Sequence, residues 1–185
     1  MGISIIPAPS AGSKTLKKVT LTSGSSYTVP AGVTEINVTL YGGGGGGGGG
    51  TSRSPSGAAT SGGTGGTTSF TGATSAIGGN GGAHNSWNNA QNGTDKAPRT
   101  GDNQTANSGL GAMGGSAICD VNTGYHYTCG EGTNGQIISS TLSVTPNQSI
   151  GYSIGGGGSA GARNGITGCD GGNGGSGKID VEYWS

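Results

Sequence analysis

Residues 35–50 read EINVTLYGGGGGGGGG, and the change of character at Gly42 decides the fold. In the first half of this stretch, Ile36, Val38 and Leu40 alternate with polar residues, which is the period-two pattern of a strand with one buried face. The second half is an unbroken run of nine glycines. A strand that passes directly into glycine predicts a β framework that carries a glycine-rich extension.

The alternation of apolar and polar residues recurs in four other places, so several strands are expected. Two turns with proline at the second position, Val29–Gly32 and Thr145–Gln148, are predicted to form hairpins. We therefore predict a β base, a small antiparallel sheet or sandwich built from residues 15–41 and 136–184. The other alternating apolar residues are Val19 and Leu21; Leu142 and Val144; Ile150, Tyr152 and Ile154; and Ile179, Val181 and Tyr183.

Composition excludes several classes of protein. With 46 glycines among 185 residues and only 29% hydrophobic residues, the chain cannot bury an ordinary core along its whole length. Collagen is excluded because the glycines come in runs and only 6 prolines accompany them. The 8 basic and 8 acidic residues are scattered, which gives no support for nucleic-acid binding. No apolar run approaches the roughly 18 residues of a membrane helix, so membrane insertion is not expected.

The glycine runs are predicted to form extended left-handed helices of the polyglycine II type, packed side by side. Such a helix has about 3 residues per turn and no internal hydrogen bonds, so its N–H and C=O groups point outward. Only glycine lets neighbouring backbones approach closely enough to bond to one another. A flexible linker is the alternative, but nothing would then offset the cost of ordering the segment. The predicted fold class is mainly β with polyglycine II and essentially no α-helix.

Four pieces of the sequence follow one familiar order: TVPAGVTEINVTLYGGGGGGGGG, GGTTSF, SVTPNQSIGYSIGGGGSAG and GGNGGSGKIDVEYW. In that order the chain resembles the glycine-rich phage tail-fibre tip proteins over residues 15–82 and 136–184. The resemblance implies a β base that carries a sandwich of polyglycine helices, with loops that bind a bacterial outer-membrane protein or surface glycan. It also implies that the protein is made in the host cytoplasm and acts at the tail-fibre tip of the virion, attached to a tail-fibre protein.

The domain organisation that follows is a docking segment, residues 1–13, and one adhesin domain, residues 14–185. The segment carries three isoleucines and two prolines outside the β base and is expected to dock to the fibre, unless it is a frayed terminus. The glycine bundle and its tip loops are assigned to residues 42–135 and 155–177. The expected loops are 51–61, 83–108, 116–134 and 159–170.

Aromatic and polar residues in these loops are the candidate receptor-binding residues. Aromatic side chains provide contact area at small entropic cost, while asparagine provides adaptable hydrogen bonds. Arginine can meet phosphates or acidic groups of a bacterial surface. The alternatives are that the aromatic residues cap the open end of the bundle and that the charged residues only keep the surface soluble. The candidates are Trp87, His84, Asn88, Tyr125, His126, Tyr127, Arg53 and Arg99.

No motif for catalysis is present in the sequence. His84 and His126 are the only histidines, and neither belongs to a nucleophile or metalloprotease motif, so the protein is expected not to be an enzyme and to need no cofactor or metal. Cys119 and Cys129 could form a disulfide that closes the third loop, which leaves Cys169 over.

Two other functions share the scaffold. Springtail antifreeze proteins also bundle polyglycine-type helices, and residues 60–74 are rich in threonine, so ice binding is one alternative. Its weakness is that long loops with Trp87 and Tyr125 would interrupt the flat array that ice binding needs. The other alternative is a purely structural fibre tip without a receptor contact.

Overall fold

The computed structural model describes residues 14–50, 59–84, 108–109, 116–120, 125–164 and 170–185, with only the backbone of 116–120 and 125–128. The architecture is mainly β, and these residues contain no α-helix. The strands are β1 (Leu16–Leu21), β2 (Ser26–Thr28), β3 (Glu35–Tyr41), β4 (Ser69–Phe70), β5 (Ser116–Asp120), β6 (Tyr125–Thr128), β7 (Ile137–Ser143), β8 (Ser149–Ser153) and β9 (Lys178–Trp184).

Two antiparallel sheets form the body of the molecule. The first has the strand order β1-β9-β3-β7, and the second has the order β2-β8-β4. Strands β5 and β6 pair separately as an antiparallel two-stranded sheet with an irregularity between Ile118 and Asp120. Because β9 lies between β1 and β3, the last strand of the chain joins the first strand to the third.

The apolar faces of both sheets share one hydrophobic core. Ile36, Val38 and Leu40 of β3 are fully buried, which confirms the strand predicted from their alternation. The second sheet contributes Tyr27, Phe70 and Ile150, with the rings of Tyr27 and Phe70 6.2 Å apart. Phe70 lies within 42–135, a range that the sequence assigned only to glycine segments and loops. The single apolar residue of a two-residue strand was too weak a pattern to predict it.

Both hairpin predictions are wrong. The turn after β2 begins at Pro30, where Val33 N donates to Pro30 O at 3.2 Å and Gly32 has a φ of +79°, and it leads into β3 of the other sheet. The turn Thr145–Gln148 does have proline second, with Gln148 N donating to Thr145 O at 3.1 Å, but it also changes sheets. The physical reason is burial: each turn folds the chain over so that the apolar faces of successive strands meet.

The outer face of the first sheet carries a ladder of polar contacts around Asp180. This carboxylate is 3% exposed, accepts a hydrogen bond from Thr20 Oγ1 at 2.7 Å, and lies 3.1 Å from Lys18 Nζ and 3.5 Å from Lys178 Nζ. Burial by itself would raise the pKa of Asp180, but the hydrogen bond from Thr20 and the two ammonium groups together lower it. The carboxylate is therefore charged at neutral pH.

The two ends of the sandwich differ. At the end that we call the base end, the start of the described chain meets its last residue, with Thr15 N donating to Ser185 O at 2.8 Å. At the opposite end β3 finishes at Tyr41 and the glycines begin. Thr68, which is fully buried, ties this junction together, because its Oγ1 donates to Tyr41 O at 2.7 Å and accepts from Gly155 N at 2.9 Å.

Candidate functional site

The run Gly42–Gly50 is buried along its whole length and bonds to its neighbours with a period of three residues. Every third N–H donates to the same neighbouring segment, over distances of 2.8 to 3.0 Å. All three of these segments run antiparallel to the central one. The pairs are Gly43, Gly46 and Gly49 with Gly66, Gly63 and Thr60; Gly42, Gly45 and Gly48 with Gln136, Thr133 and Gly130; and Gly44 and Gly47 with Gly175 and Gly172.

The carbonyl groups of the same run bond to two further segments, which run parallel to it. Gly79 N and Gly82 N donate to Gly43 O and Gly46 O, both at 2.8 Å. On another side, the amides of the segment 158–164 donate to the carbonyls of Gly44, Gly47 and Gly50. We call the central run and these five neighbours, 60–66, 78–83, 130–136, 155–164 and 171–177, the glycine bundle. Outer segments also bond to one another, as Gly174 N does to Gly158 O at 2.9 Å.

Close approach of backbones is the reason why glycine occupies these positions. A Cβ atom added at Gly45 would stand less than 3.0 Å from the carbonyl oxygen of Asn80, and one at Gly46 would meet the carbonyl of Ser159 in the same way. Neither glycine has a positive φ, so a special backbone conformation is not the cause. Any larger residue would push the segments apart and break the hydrogen bonds between them.

The polar residues between the glycines cap backbone amides on the outside of the bundle. Thr133 Oγ1 accepts from Asn80 N at 2.8 Å, and Asn173 Oδ1 accepts from Ala160 N at 2.7 Å. Thr60 and Asp170 accept in the same way from Ala162 N and Arg163 N. An outward amide has no neighbouring segment to bond to, and a side chain takes its place. The sequence analysis did not predict this capping role. Single polar residues inside glycine runs, as in GGNGG, were the pattern that could have indicated it.

Described residues next to the loops meet at one end of the bundle, which we call the distal end. Gly49 N donates to Thr60 O at 3.0 Å, Asn164 N to Gly50 O at 3.1 Å, and Gly130 N to Ala83 O at 2.9 Å. Four groups of residues are therefore close together. They are the residues on both sides of 51–58, those on both sides of 165–169, those just before residue 85, and those just after residue 128. The central run extends from the sandwich to this point, so the distal end lies opposite the base end.

Only part of the predicted binding set falls within the described residues. His84 is exposed at the distal end, and its ring Nδ1 lies 3.0 Å from Ser61 Oγ. The backbone N–H of His84 donates to the same hydroxyl at 3.2 Å. Tyr125, His126 and Tyr127 belong to β6, where His126 and Tyr127 pair with Ile118 and Ala117 of β5. The side chains of these three residues are not among those described. The described part of the chain also does not include Trp87, Asn88, Arg53 and Arg99.

Only one cysteine of the predicted disulfide, Cys129, has a described side chain. Cys129 is buried at the distal end, and its Sγ lies 3.1 Å from the carbonyl oxygen of Gly49. Cys119 belongs to β5, of which only the backbone is described. The pairing of Cys119 with Cys129 therefore stays a prediction.

Within the described ranges, no group of three His, Cys, Asp or Glu side chains could hold a metal ion. The same ranges contain no helix that is long and apolar enough to cross a membrane. What the distal end offers chemically is a set of exposed hydrogen-bonding groups, among them His84, Thr60 and Arg163. Comparison with models of known protein families finds no match, and comparison with curated protein sequences finds none either.

Proposed function

We propose that this protein is a receptor-binding adhesin at the tip of a phage tail fibre and that its glycine bundle consists of polyglycine II helices. The three-residue period of the hydrogen bonds supports the helix type, because polyglycine II has three residues per turn. At about 3.1 Å per residue, the run Gly42–Gly50 would be roughly 28 Å long. Bonded on several sides, it is a stiff support between the sandwich and the loops.

The observation that carries the proposal is the position of the described residues next to the expected loops. Described residues on both sides of 51–58 and of 165–169, together with Ala83 and Gly130, meet at the distal end, while Thr15 and Ser185 meet at the base end. Gly109, which follows the second expected loop, lies instead next to the sandwich, where its N–H donates to Ser176 O. A protein attached to a fibre through residues 1–13 would then present its loops away from the fibre. Most bonds of the bundle join backbone atoms, and the side chains that cap it, such as Thr60, Thr133 and Asp170, lie near the ends of the expected loops. In this proposal the rest of each loop can therefore change without loss of the support. That separation suits a protein whose binding specificity varies.

In this proposal the protein binds its receptor and catalyses no reaction. Trp87, Tyr125 and Tyr127 are the proposed anchors, with His84, Asn88 and His126 as hydrogen-bonding groups and Arg53 and Arg99 for anionic groups. The partner is an outer-membrane protein or a surface glycan of a bacterium, and no cofactor takes part. The place of action is the bacterial surface, reached as part of the virion.

The experiment is adsorption of the purified, fluorescently labelled protein to a panel of bacterial strains, followed by envelope mutants of a strain that binds. We expect saturable binding that the substitutions Trp87→Ala, Tyr125→Ala and Tyr127→Ala each reduce at least tenfold. Trp184→Ala is the matched control, because Trp184 is an exposed aromatic residue at the base end and should not matter. Full binding by all three folded loop variants would contradict the adhesin and leave a structural tip.

Ice binding is a second candidate with an observation of its own. Ser61, Thr64 and Thr67 are exposed and separated by three residues, so they would form a straight row with a spacing of about 9 Å on a polyglycine II helix. Asn80 is exposed on the adjacent segment. Thermal hysteresis of the purified protein, abolished by Thr64→Tyr, would favour this function over the adhesin.

A further inference from the structure

A groove of about 220 Å³ opens at the base end, between the edge strand β7 and the second sheet. Its floor is apolar and consists of Leu142, Val144 and the buried Ile150. Thr71 and Gln148 are among the exposed polar residues at its rim. A cavity of about 150 Å³ holds a benzene ring, so the groove has room for one or two branched aliphatic side chains.

The strand beside this groove has an open edge. Val144 N donates to Thr34 O at 2.9 Å. Because every second residue of an antiparallel strand bonds to the same neighbour, the backbone groups of Leu142, Ser140 and Ile138 also bond to β3. Residues 137, 139, 141 and 143 therefore direct their N–H and C=O groups away from β3, and no described residue bonds to them. β7 contains no charged residue, whereas the opposite edge strand, β1, carries Lys17 and Lys18. Charged residues are a common protection of sheet edges, and β7 lacks it.

We propose that residues 2–6 of the chain add to β7 as an edge strand, with Ile3 and Ile5 in the groove and Ser4 facing solvent. Residues 2–5, GISI, have the required alternation, and residues 2–6 carry no charged side chain, so the segment matches both the apolar floor and the uncharged edge. Pro7 and Pro9 have no amide hydrogen and end the pairing beyond residue 6. A second copy of β7 fits less well, because its inward residues already pack against its own core.

The connection from this position to the described chain is long enough. Leu16 pairs with Trp184, and the registers of β9 with β3 and of β3 with β7 place Ser143 at the same level of the sheet. From β1 to a strand added beyond β7 are four inter-strand steps, or about 19 Å. Residues 7–13 span up to about 23 Å when extended. Since they reach the sheet at its base end, the added strand runs parallel to β7.

The proposal concerns the protein before it is attached to anything else, so it does not depend on the proposed function. Its test is amide hydrogen exchange of the full chain, measured residue by residue by NMR. We call the amides of β7 that point away from β3 outward and those that point toward β3 inward. The quantity compared is the exchange rate of the outward amides of Ser139, Thr141 and Ser143 relative to that of the inward amides of Ile138 and Leu142. The inward amides report the stability of the sheet itself, so a change in the ratio reports the edge alone.

In the unaltered chain, we expect the outward amides to be protected at least tenfold relative to exposed amides. The double substitution Ile3→Ser and Ile5→Ser should raise their relative rate tenfold or more, while Ser4→Ala, the matched control, should leave it unchanged. Outward amides that exchange as exposed amides in the unaltered chain would overturn the proposal. Protection that survives deletion of residues 2–6, or that rises with protein concentration, would also overturn it, because a second copy would then cover the edge.

Discussion

Replacement of Gly45 by alanine should destabilise the protein strongly, although alanine is the smallest possible addition. The new Cβ would collide with the carbonyl of Asn80, which itself accepts a hydrogen bond from Thr133 N at 2.9 Å. Overpacking costs about 1–3 kcal/mol. Weakening that bond and the bond from Gly45 N to Thr133 O adds about 1–3 kcal/mol, at about 0.5–1.5 kcal/mol each. The expected loss in free energy of unfolding is therefore about 2–6 kcal/mol.

Gly156→Ala is the matched control, because it lies in the same bundle and a Cβ there meets no heavy atom within 4 Å. Its φ is not positive, so alanine is tolerated and should stabilise slightly, by up to about 1 kcal/mol, through the unfolded state. Urea unfolding of both variants gives the comparison. For a chain of this size, the melting temperatures should also differ by at least about 4 °C. Two variants that unfold within about 0.5 kcal/mol of each other would refute the close-packed bundle.

Three further predictions concern the sandwich. Thr68→Val removes the hydroxyl that joins β3 to the glycine bundle and leaves the buried N–H of Gly155 without this acceptor, so we expect a loss of about 1–3 kcal/mol in urea unfolding, with Thr68→Ser close to the unaltered protein. Because the pKa of Asp180 is lowered, its carboxylate stabilises the fold at neutral pH, and this contribution disappears as the pH falls from about 4 through the pKa of the folded state. Asp180→Asn should therefore be less stable at pH 7 and lose less stability on acidification, and equal pH profiles would contradict this role. Tyr27→Phe should be neutral or stabilising by up to about 1 kcal/mol in thermal unfolding, because the buried Tyr27 hydroxyl has no hydrogen-bond partner among the described residues, and a clear loss of stability would indicate one.

The sequence predicted the strands better than the way in which they are joined. Alternation placed β1, β3, β7, β8 and β9, because a half-buried strand needs apolar residues at every second position. The Thr145–Gln148 turn was also placed correctly, with Asn147 at a φ of +62°. Neither pattern says whether a turn returns to the same sheet or crosses to the other one. That choice depends on which apolar faces are buried together, and both predicted hairpins failed for this reason.

For the candidate site, the sequence indicated the glycine runs, but the expected loops 51–61, 116–134 and 159–170 were too long, because part of each belongs to the glycine bundle. What the sequence could not determine is the register of the bundle, such as the bond from Gly45 to Thr133. A glycine run has no side chains, so one residue resembles the next and nothing local distinguishes a register from its neighbours. The tertiary structure determines the register, because the strands fix where each glycine segment begins along the bundle. Polar residues such as Asn173 then cap the outward amides that have no neighbouring segment.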